Sequence, residues 1–103
     1  MAAAPDTDES HLARVDRIAI ARLRAAADRD GTIRVQYRRG IGRSVDERIP
    51  IDQAVTALID ALRPVPGFVG GGGWQFSTRS DGAEWIAVED HVGATRFYEL
   101  ARP

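Results

Sequence analysis

Residues 32–38 and 44–49 constrain this chain more than any other stretch. In the first, Ile33, Val35 and Tyr37 alternate with Arg34, Gln36 and Arg38. Alternation at a period of two is the pattern of a strand with one dry face and one wet face. The second stretch carries Val45 and Ile49 at compatible positions. Pairing Arg34 with Arg48, Gln36 with Asp46 and Arg38 with Ser44 keeps the polar faces together. It also matches Ile33 with Ile49 and Tyr37 with Val45, and it leaves residues 39–43 as the loop. A slip of one residue would mix the faces, so the hairpin register is tightly specified. The same register puts Glu47 on the apolar face opposite Val35. That predicts a buried carboxylate needing a partner such as Arg34 or Arg48.

The segments around this hairpin suggest helix, helix and meander. Residues 1–7 read as a disordered tail, and 8–103 as one domain. A first helix is expected from about Asp8 to Arg29, with Leu12, Val15, Ala19, Leu23 and Ala26 as its apolar stripe. Asp8 or Ser10 is the expected cap, and Gly31 the left-handed residue beyond the end. Ile18 falls among the arginines outside the stripe, either incidentally or as part of a contact surface. A second helix is expected from about Asp52 to Leu62, with Ala54, Val55, Leu58, Ile59 and Leu62 on one face, ended by Pro64 and Pro66. Strands follow at 74–79, 85–88 and 95–101, with turns at Ser80-Asp81-Gly82 and Asp90–Gly93. The element order α-β-β-α-β-β-β, with hairpin links, predicts an α+β fold: a mainly antiparallel sheet with two helices packed on one face.

Composition narrows the class. The chain has 103 residues, 44% of them hydrophobic, which suits one folded domain. Cysteine is absent, which removes disulfides, thiolate metal sites and a cysteine nucleophile. The start, MAAAPDTDES, lacks the basic and apolar blocks of a signal peptide. No apolar run approaches the ~20 residues of a membrane span. A cytoplasmic location is expected. Net charge is −1 but unevenly spread: residues 11–48 are rich in arginine, and the second half is acidic. That asymmetry suits either an anionic partner or attraction between the two halves.

Four features carry candidate chemistry. Tyr37-Arg38-Arg39-Gly40-Ile41-Gly42-Arg43 combines a glycine-freed hairpin tip with arginines. Guanidinium and backbone N–H groups there suit phosphate or carboxylate, and Tyr37 is a candidate for base stacking. Gly70–Gly73 reads as a connector or a close backbone approach; it lacks the Lys-Ser/Thr of a P-loop. Glu89-Asp90-His91 is the one carboxylate–histidine cluster, but adjacent residues in a turn diverge, and His11 offers no metal spacing. Glu47, Glu84 and Glu99 form a carboxylate set only if the fold gathers them.

Trp74, Phe76, Trp85, Phe97 and Tyr98 concentrate in the last third. They read as core or as an aromatic interface. Trp85 and Phe97 share one face of the meander, Ile86 and Val88 the other. The face turned from the helices stays apolar unless something covers it, such as a second copy of the chain.

No catalytic constellation, cofactor site or metal site is evident. The sequence therefore points to a non-enzymatic protein-interaction module of inhibitor, immunity or adaptor type, with a homodimer as one form of association. The candidate partner-binding residues are Arg34, Arg38, Arg39, Arg43, Trp85 and Phe97. The alternative is nucleic-acid or anionic-ligand binding through the arginine-rich hairpin.

Overall fold

The computed structural model describes residues 9, 12–64, 66–67 and 72–102. The expected tail at 1–7 lies outside them, as do His11 and the caps proposed at Asp8 and Ser10. The elements are α1 (Arg14–Ala25), β1 (Thr32–Arg38), β2 (Ser44–Pro50), α2 (Ile51–Leu62), β3 (Gly73–Thr78), β4 (Glu84–Glu89) and β5 (Thr95–Ala101). All five strands join one antiparallel sheet in the order β2-β1-β5-β4-β3. This is an α+β fold with both helices on one face. No described helix is long and apolar enough to cross a membrane.

The β1–β2 hairpin adopts the expected register, from Thr32 opposite Pro50 to Arg38 opposite Ser44. Glu47 does face Val35, yet it is exposed. As the edge strand, β2 lets that carboxylate reach water, where it accepts a hydrogen bond from the Tyr37 hydroxyl at 3.1 Å. Arg34 and Arg48, its expected partners, lie on the opposite face.

The helices bury their stripes on Ile33, Val35, Ile86, Val88 and Tyr98. On α2, Ala54, Val55, Leu58 and Ile59 are buried as expected. On α1, the buried residues are Ala19, Ile20 and Leu23. Val15 is instead 56% exposed. The helix is also shorter than its periodicity implies. It starts without a side-chain cap at Ala13. At the other end the Asp28 carboxylate accepts the N–H groups of Asp30 and Thr32, replacing helical hydrogen bonds with a turn. Gly31 occupies the left-handed region (φ +73°) there, and its carbonyl accepts the Ile51 N–H at 2.8 Å. One turn thus anchors the end of α1 and the start of α2.

His91 closes the other end of α2. Its Nδ1 accepts the Gly72 N–H at 3.2 Å, which leaves the proton of the neutral ring on Nε2, 3.2 Å from the Asp60 carbonyl. Asp90 turns away and accepts N–H groups of Val92 and Ala94 within its own turn. The Glu89-Asp90-His91 run thus ties turns and helix end together.

Candidate binding surface on the open face of the sheet

Strand register arranges the face turned from the helices into cross-strand rows. One runs Asp46, Gln36, Phe97, Ala87, Gln75. The next holds Arg48 and Arg34 at one end and Glu99, Trp85 and Ser77 at the other. A salt bridge of 3.3 Å between Arg34 and Glu99 joins the two halves of that row.

Trp85 and Phe97 share this open face, as the alternation implies. Trp85 is nonetheless only 2% exposed. Arg79, one residue past the end of β3, lies across the sheet with its guanidinium carbon 3.8 Å from the Trp85 ring centroid and 5.8 Å from that of Phe97. Its Nη1 donates to the Gln36 side-chain carbonyl at 2.8 Å. Arg34 sits 5.5 Å from the Trp85 ring. The apolar face is therefore roofed by the chain's own arginines through cation–π stacking. Among the described residues the buried Trp85 Nε1 has no hydrogen-bond partner. Phe97 is half-buried and keeps a surface to present.

The arginines divide into committed and uncommitted sets. Arg34 binds Asp46 in a fork, Nε to Oδ1 at 3.0 Å and Nη2 to Oδ2 at 2.7 Å, while its Nη1 reaches Glu99. Glu99, 9% exposed, also accepts Arg102 Nε at 3.0 Å. Arg48 pairs with Asp28 at 2.6 Å. These pairs knit the basic half to nearby acids and leave Arg34 little to offer a partner. By contrast, Arg38, Arg39 and Arg43 form no ion pair among the described residues, while Arg79 is committed to Gln36 and the Trp85 ring and lies in the field of Asp46. Gly40 (φ +68°) and Gly42 (φ +76°) give the tip its left-handed turns and leave Ile41 fully exposed.

A groove of about 590 Å³ opens between this hairpin and the β4–β5 turn. Phe97 and Gln36 line it with Arg38, Arg79, Asp46 and Thr95. Sequence reading put Arg79 at the end of the expected strand 74–79, one residue beyond where β3 stops, but not among the site residues: its reach across the sheet depends on β1 and β5 being neighbours. Tyr37, proposed for stacking, is on the helix side with Arg96 4.9 Å from its ring centroid, and its hydroxyl also accepts Arg39 Nη2 at 3.3 Å.

The carboxylates do not gather. Glu47 bonds Tyr37, Glu84 pairs with Arg22 at 2.7 Å, and Glu99 alone lies on the open face. No described group of three or more His, Asp or Glu residues is placed to hold a metal ion.

The hydrogen bonds from Arg34, with help from Gln36, hold the Asp46 carboxyl down at about 2. The Thr32 N–H and the groups around it lower Asp28 likewise. Both groups therefore stabilise the fold above the ordinary Asp value of about 4. Their contribution is lost as pH falls through the depressed values. Urea denaturation between pH 6 and pH 2 should show a stability slope that flattens in Asp46→Asn. An unchanged slope in that variant would rule out the Arg34–Asp46 pair as its source.

No protein-family model, curated protein or solved structure matches this chain, so its function is read from this surface.

Proposed function

We propose that the chain is a non-enzymatic recognition module, of inhibitor or adaptor type, that receives an acidic segment of a protein partner in the groove beside its arginine hairpin. The observation that supports this reading is the uncommitted charge. Arg38 lines the groove without a carboxylate of its own, beside an Arg79 that is held by Gln36 and Trp85 and lies in the field of Asp46, while Phe97 contributes an apolar wall. A carboxylate entering there gains charge-assisted hydrogen bonds that the free protein does not make internally. Arg39 and Arg43 at the tip extend the positive field and steer an acidic partner. A cytoplasmic setting accords with the cysteine-free composition.

The second reading is nucleic-acid or anionic-ligand binding by the same hairpin. Arg38, Arg39 and Arg43 favour it. The engagement of Tyr37 by Arg96 and Glu47 removes the stacking platform that single-stranded nucleic acid prefers.

Affinity capture from native lysate, with and without nuclease, separates the readings. A nuclease-resistant protein partner is expected, with Arg38→Glu weakening capture by about tenfold or more, since a charge-assisted hydrogen bond contributes about 1.5–3 kcal/mol. Phe97→Ser should weaken it too. Capture that disappears with nuclease transfers the function to nucleic acid. Capture of the same protein at full strength by both folded variants rejects the groove.

A further inference from the structure

The two ends of the sheet differ in chemistry. The outer strand β2 carries Asp46, Glu47 and Arg48 and ends at Pro50. Charges and proline are how natural sheets guard an edge against pairing. The other outer strand, β3, reads Gly73-Trp74-Gln75-Phe76-Ser77-Thr78, with neither charge nor proline. No described segment pairs with its outer edge.

Exposed apolar side chains collect beside the same edge. Val15, Ile18 and Phe76 are 56%, 48% and 46% exposed. At 100° per residue Val15, Ile18 and Arg22 share one side of α1. That side is placed beside β3 by Arg22, 5.3 Å from the Phe76 ring centroid, while Trp74 Nε1, donating to Asp16 at 2.8 Å, ties the inner side of the first turn of α1 to the same strand. Arg22 is ion-paired to Glu84, so the pair adds no net charge to the flank. Ile18, which the helical stripe could not accommodate, belongs to this surface.

We propose that β3 is a dimerisation edge, on which a second copy of this chain pairs its own β3 antiparallel across a two-fold axis. The sequence of β3 is compatible with itself in that arrangement. A two-fold axis perpendicular to the sheet sets residues of one face opposite residues of the same face. Trp74 and Phe76 then meet each other on the helix side, and Gln75 meets its own counterpart on the open side with Ser77 opposite Gly73. No like charges are opposed, and aromatic cross-strand pairs form twice. The unpaired backbone groups of both edges are satisfied, and Val15, Ile18 and Phe76 are drawn toward their counterparts. This surface is separate from the arginine groove and stands or falls independently of it.

Sedimentation equilibrium tests the proposal. The wild-type chain should approach twice its 11.2 kDa mass as concentration rises. Gln75→Lys sets like charges face to face and should weaken the dimer by about tenfold or more, as should Ile18→Glu. Ile41→Glu, at the hairpin tip, should leave it intact. Circular dichroism confirms that each variant is folded. Because the chain has no cysteine, Gln75→Cys gives a direct reading: mild oxidation should cross-link it to its own copy, whereas Ile41→Cys should not. A wild-type chain that stays monomeric at millimolar concentration overturns the proposal. So does a dimer that survives both Gln75→Lys and Ile18→Glu and gives no cross-link at position 75.

Discussion

Replacing Trp85 by alanine is expected to cost about 3–5 kcal/mol of stability, the range for truncating a large buried aromatic. Trp85 is 2% exposed, and its ring is the floor on which the Arg79 guanidinium rests at 3.8 Å. Truncation removes the ring and leaves Arg79 spanning a void. For a domain whose total stability is about 5–15 kcal/mol, that brings the variant close to unfolding. Trp85→Phe should cost far less. It keeps an aromatic plane under Arg79 and deletes an indole N–H that has no hydrogen-bond partner among the described residues. Urea denaturation of the two variants is the check. A stable Trp85→Ala, or a Trp85→Phe equally damaged, would contradict the packing described above. The consequence for function is direct: loss of partner binding in Trp85→Ala reports unfolding, so Phe97 and Arg38 are the positions at which to test recognition.

Gly72→Ala is expected to lose about 2–3 kcal/mol, toward the upper end of overpacking costs. A Cβ at Gly72 would stand 2.5 Å from the Glu89 carbonyl oxygen, 2.6 Å from that of Ala61 and 3.0 Å from the Ala61 Cα. All three are backbone atoms, so no side chain can swing aside. The end of α2 and the end of β4 would have to part, stretching the His91 hydrogen bonds to Gly72 and Asp60. Gly73→Ala is the matched control: its Cβ meets nothing within 4 Å, so its stability should change little. Thermal unfolding of the pair distinguishes steric need from simple connector flexibility. Equal stability of the two variants would show that the contact yields without cost.

Those two positions show where the amino-acid sequence was informative and where it was not. The four-glycine run signalled either a connector or a close backbone approach. Only packing reveals that Gly72 is held by this protein's own α2 and β4. The apolar run around Trp85 signalled a strand buried on both faces or an associating one. Burial is what occurs, with β4 flanked by β3 and β5, covered by helices on one side and by Arg79 on the other. The association surface proposed above lies instead at β3 and the adjoining side of α1, where Phe76 and the otherwise unplaced Ile18 are exposed. The exposure of Glu47 and the pairing of Arg34 with Asp46 and Glu99 went unseen for a common reason. Alternation states which face a side chain takes but not whether its strand is at the edge or which acid lies one strand over.

Local pattern alone determined the register of the β1–β2 hairpin, because a one-residue slip would separate Ile33 and Tyr37 from the side that holds Val45 and Ile49. It also determined the helix face of α2 and the three-stranded meander. The pairing of β1 with β5, which sets Val35 beside Tyr98 and Gln36 beside Phe97, was decided by the tertiary structure. Strand neighbours distant in sequence share no local signal. They are selected because both helices can bury their stripes at once only on a single continuous sheet. That one pairing brings Gln36 to Phe97 and within reach of Arg79, sets Arg34 between Asp46 and Glu99, and opens the groove beside the hairpin. It also leaves β3 alone at the far edge.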